Sequence, residues 1–455
     1  MREGGRLVVV GGVAAGMSAA SRARRLRPDI EVVVFERVSD VSYAACMLPY
    51  FIAGWVGGRD DLIRYDADFF RRERHIDVRL RTAVTSIDPV GRSVTFRDES
   101  GQEGRLPFDA LVLGTGAHAV KPPLPGIDIP GVETLRGFPD GERIKERVDR
   151  GGVRSAAVIG GGYIGLEMAE AFRARGVEVT LIELLPALLP TFDPDMTERI
   201  ERELMDSGVS VRKETKVTGF EPRDGSSDLG CVVANGQRLA CDLALVSVGV
   251  RPSVGLASEA GIELGPTGAI KVDARQVTSE PSVLAAGDCA EATHVVTGSP
   301  AWIPLGTTAN RQGKLAGENA VGGSAQFGGV AGTSITKVFD LGVAQTGLSE
   351  QAAEREGFSA AAVKIRSHSR HPAYPGAAPV DVKLVFEPED GRLLGGQVVG
   401  TGDAAKRIDT VAAALFARMT VRELAAIDTS YAPPFSPVWD PVVMAAVQAM
   451  KKVRS

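Results

Sequence analysis

Short unbroken apolar runs alternate with stretches of helical periodicity along this chain, the pattern of buried parallel strands joined by helices. Arg6 to Val10 is such a run; it enters Gly11-Gly12-Val13-Ala14-Ala15-Gly16, continues as a helical pattern through Leu26, and is followed by a strand at 32–36 (VVVFE). The same succession recurs: strand 156–159 (AAVI), Gly160-Gly161-Gly162-Tyr163-Ile164-Gly165, a helix carrying Glu167, then strand 178–183 (EVTLIE). Further buried strands are expected at Ala110 to Leu113, 243–248 and 283–286, with short strands and turns over 78–113 and 209–245. From about Thr333 the chain begins with strands and ends in two helical patterns, near 404–418 and 440–450. Two breaks punctuate it: the proline-bearing stretch Lys121 to Pro130, read as an extended linker, and the glycine-rich Gly322 to Gly332. The fold class is therefore α/β, with two Rossmann-like dinucleotide-binding units and a C-terminal α+β unit.

Length and composition narrow the function. A chain of 455 residues is too long for one core and fits about three domains. With 57 acidic and 52 basic residues the formal charge is −5, which argues against general nucleic-acid binding. Four cysteines cannot frame a disulfide scaffold and suit a reducing, cytoplasmic setting. No stretch has the apolar length of a membrane span, Met1 to Arg6 is too short and polar for a signal peptide, and no metal-ligand spacing is present.

The two glycine runs carry the first chemistry. Gly11 makes a tight turn, Gly16 lets helix and strand pack closely, and the helix N-terminus takes a pyrophosphate. Glu36, twenty residues after Gly16, can accept from a ribose; Val13 stands where the middle glycine is expected. In the second run all three positions, Gly160, Gly162 and Gly165, are filled, and Glu183 follows eighteen residues on. A carboxylate there binds an adenosine ribose and repels a 2′-phosphate; Leu184 and Leu185 follow rather than arginine, so NADH is expected over NADPH. The Gly114-Thr115-Gly116 loop allows close backbone approach, and Asp288, ending the strand Val283 to Ala286 after Gly287, can bind cofactor hydroxyls.

Ser42 to Tyr50 (SYAACMLPY) holds one cysteine, Cys46, with Pro49 three residues on. Proline in a first helical turn places Cys46 at a helix N-terminus, where a thiolate is favoured; a buried structural cysteine is the alternative. Cys231, Cys241 and Cys289 read as packing residues. Arg22, Arg24, Arg25 and Arg27 form either a solvated basic face or a phosphate site for an anionic thiol. Tyr374 and Tyr431 lie in proline-rich turns and are either packing or functional groups.

In this order, the two fingerprints, the Gly114–Gly116 loop, the Gly287-Asp288 turn and the C-terminal module resemble the pyridine nucleotide–disulfide oxidoreductase family, from about residue 6 to 450. The resemblance implies a homodimer whose FAD-binding domain (1–120 and 246–328) is split around an NAD-binding domain (121–245), with a dimerisation domain at 329–455. A single cysteine before Leu-Pro-Tyr, with Tyr-Ala-Pro-Pro near the end, is similar to coenzyme A-disulfide reductases and related persulfide and polysulfide reductases. It implies FAD on Gly11, Gly12, Gly16, Glu36, Arg37, Val84, Thr115, Gly116, Asp288 and Asn310, and NADH on Gly160, Gly162, Tyr163, Gly165, Glu167 and Glu183, with Tyr163 gating the flavin. Cys46 becomes the redox thiol, with Tyr374 and Tyr431 reaching it from the partner subunit. Ser18, Arg22, Arg25, Ser42 and Arg74 fall where such enzymes hold coenzyme A. The chain departs from them at Ala45, usually Asn, and at Trp439, where some carry a lysine. Ser436 to Pro441 is closer to the NADH oxidase branch, although those oxidases have histidine where this chain has Ala14. The rival expectations are an NADH oxidase and an electron-transfer subunit serving a partner protein.

Overall fold

The computed structural model describes residues 3–454. The first glycine run joins strand β1 (Arg6–Val10) to helix α1 (Ala14–Leu26), which returns to β2 (Glu31–Phe35). These strands lie inside a five-stranded parallel sheet, in the order Val283–Ala285, Ala110–Leu113, β1, β2, Asp77–Arg79. The four residues Leu7 to Val10 are all buried, as continuous apolar runs in doubly covered parallel strands must be. Helix α2 (Leu48–Ala53) follows the cysteine segment, and its last turn ends on Gly54 in the left-handed region.

The second run repeats the arrangement. β3 (Ser155–Ile159), α3 (Tyr163–Ala174) and β4 (Glu178–Ile182) sit in another five-stranded parallel sheet, in the order Val209–Arg212, β4, β3, Leu243–Val246, Val132–Glu133. Helix α4 (Pro194–Asp206) covers it. Both predicted strands end one residue before their acids, so Glu36 and Glu183 stand just beyond the strand ends. The strand expected over 243–248 stops at Val246, ahead of Gly249 at φ +117°.

The chain then returns to the first sheet, whose face is covered by α5 (Gly306–Ala320). Gly313 and Gly317 let α5 lie directly on the backbone of α1: a side chain at either would meet a carbonyl oxygen of Ala15 or Ala19 at 2.2 or 2.1 Å. The C-terminal region is antiparallel, in the order β5 (Ser334–Val338), β6 (Leu341–Gly347), Leu393–Thr401, Pro379–Phe386, Ala361–His368. The expected helical patterns appear as Ile408–Phe416, after a 3₁₀ turn, and Pro441–Met450. No helix among the described residues is long and apolar enough to cross a membrane.

Candidate functional site

At the first turn Gly11 adopts φ +105°, and a Cβ there would lie 2.2 Å from the Gly114 carbonyl oxygen; a Cβ on Gly16 would lie 1.8 Å from that of Gly11. Neither position tolerates a side chain. The Glu36 carboxylate accepts from Gly12 N–H at 2.7 Å and Val38 N–H at 3.0 Å. Burial raises its pKa, against the pull of those two donors. Val13 is the N-cap of α1, which has no side-chain cap and no acid in its first turn, leaving its first N–H groups free for an anion. Arg37 is exposed beside Glu36, and Val84 is buried under the sheet with Phe35. Thr115 donates to the Ser253 carbonyl at 2.7 Å, Gly116 takes φ +71°, and Gly287, at φ +80°, packs against Ala15.

The second turn reproduces this geometry. Gly160 has φ +105°; Cβ atoms on Gly160 and Gly165 would lie 2.5 Å from Ser247 O and 1.9 Å from Gly160 O. Glu183 accepts from Gly161 N–H at 2.6 Å and Leu185 N–H at 2.8 Å. Gly162 caps α3, again with no side-chain cap, and a Cβ there would meet nothing within 4 Å. Two cradles with uncapped helix N-termini and a buried acid fit two dinucleotides.

Cys46 is tied to both. Val41 packs on Gly12, and Ser42, at φ +54°, donates its N–H to Gly12 O at 2.8 Å. A serine in the left-handed region is costly and persists only where its surroundings fix it. Four residues on, Cys46 is exposed in a single 3₁₀ turn, Ala45–Met47. This corrects the expected helix start: α2 begins two residues later, with Pro49 in its first turn. α2 then buries Leu48, Phe51 and Ile52 in one core with Leu166 and Ala169 of α3. Tyr50, on α2, has its pKa pushed up to about 12 by burial, with the charges of Glu167, Glu170 and Cys46 adding to it. Glu167 accepts from Thr336 Oγ1 at 2.7 Å; burial raises its pKa, the Thr336 hydroxyl opposing and the Glu170 charge assisting.

Tyr374 and Tyr431 lie on adjoining loops of the C-terminal region, linked where His371 N–H donates to Pro433 O at 3.2 Å. Both are exposed, at 39% and 46%, beside Phe435 at 77% and Trp439 at 60%. Among the described residues nothing covers this apolar face. Cys231, Cys241 and Cys289 are buried packing residues; burial pushes the Cys241 thiol to about 12. No group of metal-binding side chains occurs among the described residues.

Residues 5–313 match the family described as pyridine nucleotide-disulphide oxidoreductase, and residues 333–441 match its dimerisation domain. The chain belongs to this family. Membership makes it a flavoprotein oxidoreductase that uses a pyridine nucleotide. The oxidoreductase is 39% identical over 442 residues to the NAD(P)H sulfur oxidoreductase (CoA-dependent) of Pyrococcus furiosus, covering 97% of this chain and 98% of that one. It is 35% identical over 449 residues to an NADH oxidase of Methanocaldococcus jannaschii, covering 98% and 99%. The solved NAD-dependent persulfide reductase from A. fulgidus superposes with a TM-score of 0.95 at 40% identity, over 98% of this chain and 83% of that one.

The oxidoreductase also contains contacts that local sequence did not announce. Arg136 spans from the Ala117 carbonyl, at 2.9 Å, to the Asp288 carboxylate, at 2.5 Å, so Asp288 is pre-oriented by a cation. Arg22 is held by Glu318 of α5 at 2.5 Å, and Ser18 donates to Asn310 at 2.8 Å. Arg25 is exposed at the end of α1. Arg74 is exposed over the ring of Phe69, beside His75, whose carbonyl accepts from Arg24.

Proposed function

We propose that the oxidoreductase uses NADH to reduce a low-molecular-weight disulfide, persulfide or polysulfide through Cys46, with FAD on the Gly11–Gly16 turn and NADH on the Gly160–Gly165 turn. One observation carries this reading: an exposed thiol sits on a segment anchored to the first turn through Ser42 and to the second through the α2–α3 core. The names of the Pyrococcus furiosus and A. fulgidus relatives support it.

When bound, the flavin supplies the two-electron chemistry that links nicotinamide to sulfur. The chain's own part is positional. Glu36 and Glu183, with a lone pair to spare on each carboxylate, accept from the two riboses, and the helix N-termini take the pyrophosphates. Glu183 favours NADH over NADPH, and Asp288, fixed by Arg136, accepts from the flavin's ribityl hydroxyls. Tyr163 gates the nicotinamide and Glu167 orients it. The Cys46 thiolate attacks one sulfur of the acceptor, R–S–S–R′, forming a Cys46–S–S–R mixed disulfide and releasing R′–S⁻. Two electrons from NADH then cleave that bond, returning the Cys46 thiolate, and R–S⁻ takes a proton from Tyr374 or Tyr431 of the neighbouring subunit. Overall, R–S–S–R′, NADH and a proton give two thiols and NAD⁺. With a coenzyme A-type acceptor, the exposed Arg25 and Arg74 meet its phosphates, along with Ser18, Ser42 and Arg22. The two domain matches support a homodimer with a split FAD-binding domain.

The test is Cys46→Ser: NADH should still reduce an artificial dye, while turnover with sulfur acceptors is lost. Full sulfur turnover would reject the role. A second reading, oxygen reduction, has the Methanocaldococcus jannaschii relative in its favour; oxygen uptake and thiol release measured on one sample separate the two.

A further inference from the structure

Tyr163 is the first residue of α3, immediately after the glycine turn, and its ring is half-buried. Its hydroxyl leaves the nucleotide-binding unit: it is hydrogen bonded to Ser334 Oγ on β5 at 2.6 Å, with the side chains of Thr191 and Gln345 close by.

The socket that holds this hydroxyl is itself fixed. Ser334 and Gln345 are directly opposed in the β5–β6 ladder, and Gln345 is opposed to Gln397 on its other side. Gln397 binds Asp193, two residues beyond Thr191, accepting from its N–H at 3.1 Å and donating to its carboxylate at 2.8 Å. The same stripe of α3 is held again further along: Glu167 by Thr336, and Glu170 by Lys337 and by Phe339 N–H at 3.0 Å. Residues 163, 167 and 170 share one helical face, and every one of them is fastened to β5 or the turn that follows it.

We propose that Ser334 is a latch for Tyr163: it is a positioning residue that holds the ring where it stands until an arriving nicotinamide displaces it. This rests on the reading of Tyr163 as the gate. Displacement breaks that hydrogen bond, so part of the nucleotide's binding free energy is spent on the latch. Loosening the latch therefore tightens nucleotide binding.

The experiment is calorimetric titration of NAD⁺, which binds without turnover, into the FAD-loaded dimer. Ser334→Ala should bind NAD⁺ roughly two- to fivefold more tightly than the parent, and Tyr163→Phe, which loses the same hydrogen bond, by a similar factor. The double variant should match Tyr163→Phe alone, because both changes remove the same bond. Ser334→Thr, which keeps the hydroxyl, should bind as the parent does, a rescue that a purely structural role for Ser334 does not predict. Tyr163→Ala separates the two levels of the argument. If it tightens binding while Ser334→Ala binds like the parent or more weakly, the gate stands and the latch is overturned. If Tyr163→Ala leaves NAD⁺ affinity unchanged, the gate reading has failed and the latch falls with it.

Discussion

Gly162→Ala isolates the ligand's claim on the second turn from the fold's. Gly162 has φ −82° and ψ −175°, extended backbone open to any residue, and a Cβ built there meets no atom within 4 Å. At a helix N-cap alanine is somewhat worse than glycine, but it also restricts the unfolded chain; the net change in stability should stay within about 1 kcal/mol. The added methyl projects into the space over the uncapped N-terminus of α3, where the pyrophosphate is proposed to lie. Overpacking one methyl against a bound group costs about 1–3 kcal/mol, so NAD⁺ affinity should fall roughly 5- to 150-fold. Gly165→Ala is the contrast: its Cβ would lie 1.9 Å from the Gly160 carbonyl oxygen, so the turn itself must open, and both melting temperature and affinity should drop. The assay is a thermal melt together with NAD⁺ calorimetry on both variants. If Gly162→Ala keeps parent-like NAD⁺ affinity, the free space above Gly162 is not where the pyrophosphate sits, and the assignment of this turn to the nicotinamide dinucleotide loses its physical basis.

Three further outcomes are expected. Because the folded chain keeps Glu167 protonated to higher pH than the unfolded chain does, Glu167 lowers stability as pH rises from the ordinary carboxylate range toward its raised folded value. Glu167→Gln should therefore gain in melting temperature over the parent across that window and not below it; a pH-independent gap would refute the cause. Lys383, with 6% of its side chain exposed, neutralises Asp193, with 3% exposed; Lys383→Ala should cost about 3–5 kcal/mol, read from the denaturant midpoint, and a loss under about 1 kcal/mol would show that Gln397 and backbone donors suffice. Arg25→Ala should raise the KM for coenzyme A-type disulfides more than Arg22→Ala, because Arg22 is already engaged by Glu318; equal effects would show that the Glu318 pair does not hold Arg22 back from the phosphates.

The two glycine turns were legible because their requirements are steric and local. Only glycine fits at Gly11, Gly16, Gly160 and Gly165, and each acid follows at the distance one helix and one strand impose. Cys46 was legible as a lone thiol, but its helix start was misplaced: Pro49 does sit in the first turn of α2, while a 3₁₀ turn at Ala45–Met47, which local periodicity does not announce, holds Cys46 just ahead of it. The basic face of α1 stayed ambiguous from sequence because Glu318, the partner of Arg22, is 296 residues away. Arg136 on Asp288 and Ser334 on Tyr163, 152 and 171 residues apart, escaped for the same reason. Periodicity reports which face of an element is buried, not which distant polar group will meet it.

The paired geometry of the two turns has a consequence of its own. Gly11 and Gly160 share φ +105°, and the acid-to-glycine hydrogen bonds measure 2.7 and 2.6 Å. If they hold FAD and a nicotinamide dinucleotide, two receptacles so alike cannot sort one from the other by their shared contacts. Discrimination would have to come from whatever differs around each copy: Val13 against Gly162 at the helix N-cap, the Arg136–Asp288 pair, and Tyr163 at the start of α3. A duplicated cradle thus becomes two addresses through its surroundings, and altering ligand choice in this enzyme is a matter of rebuilding those surroundings while leaving the glycines alone.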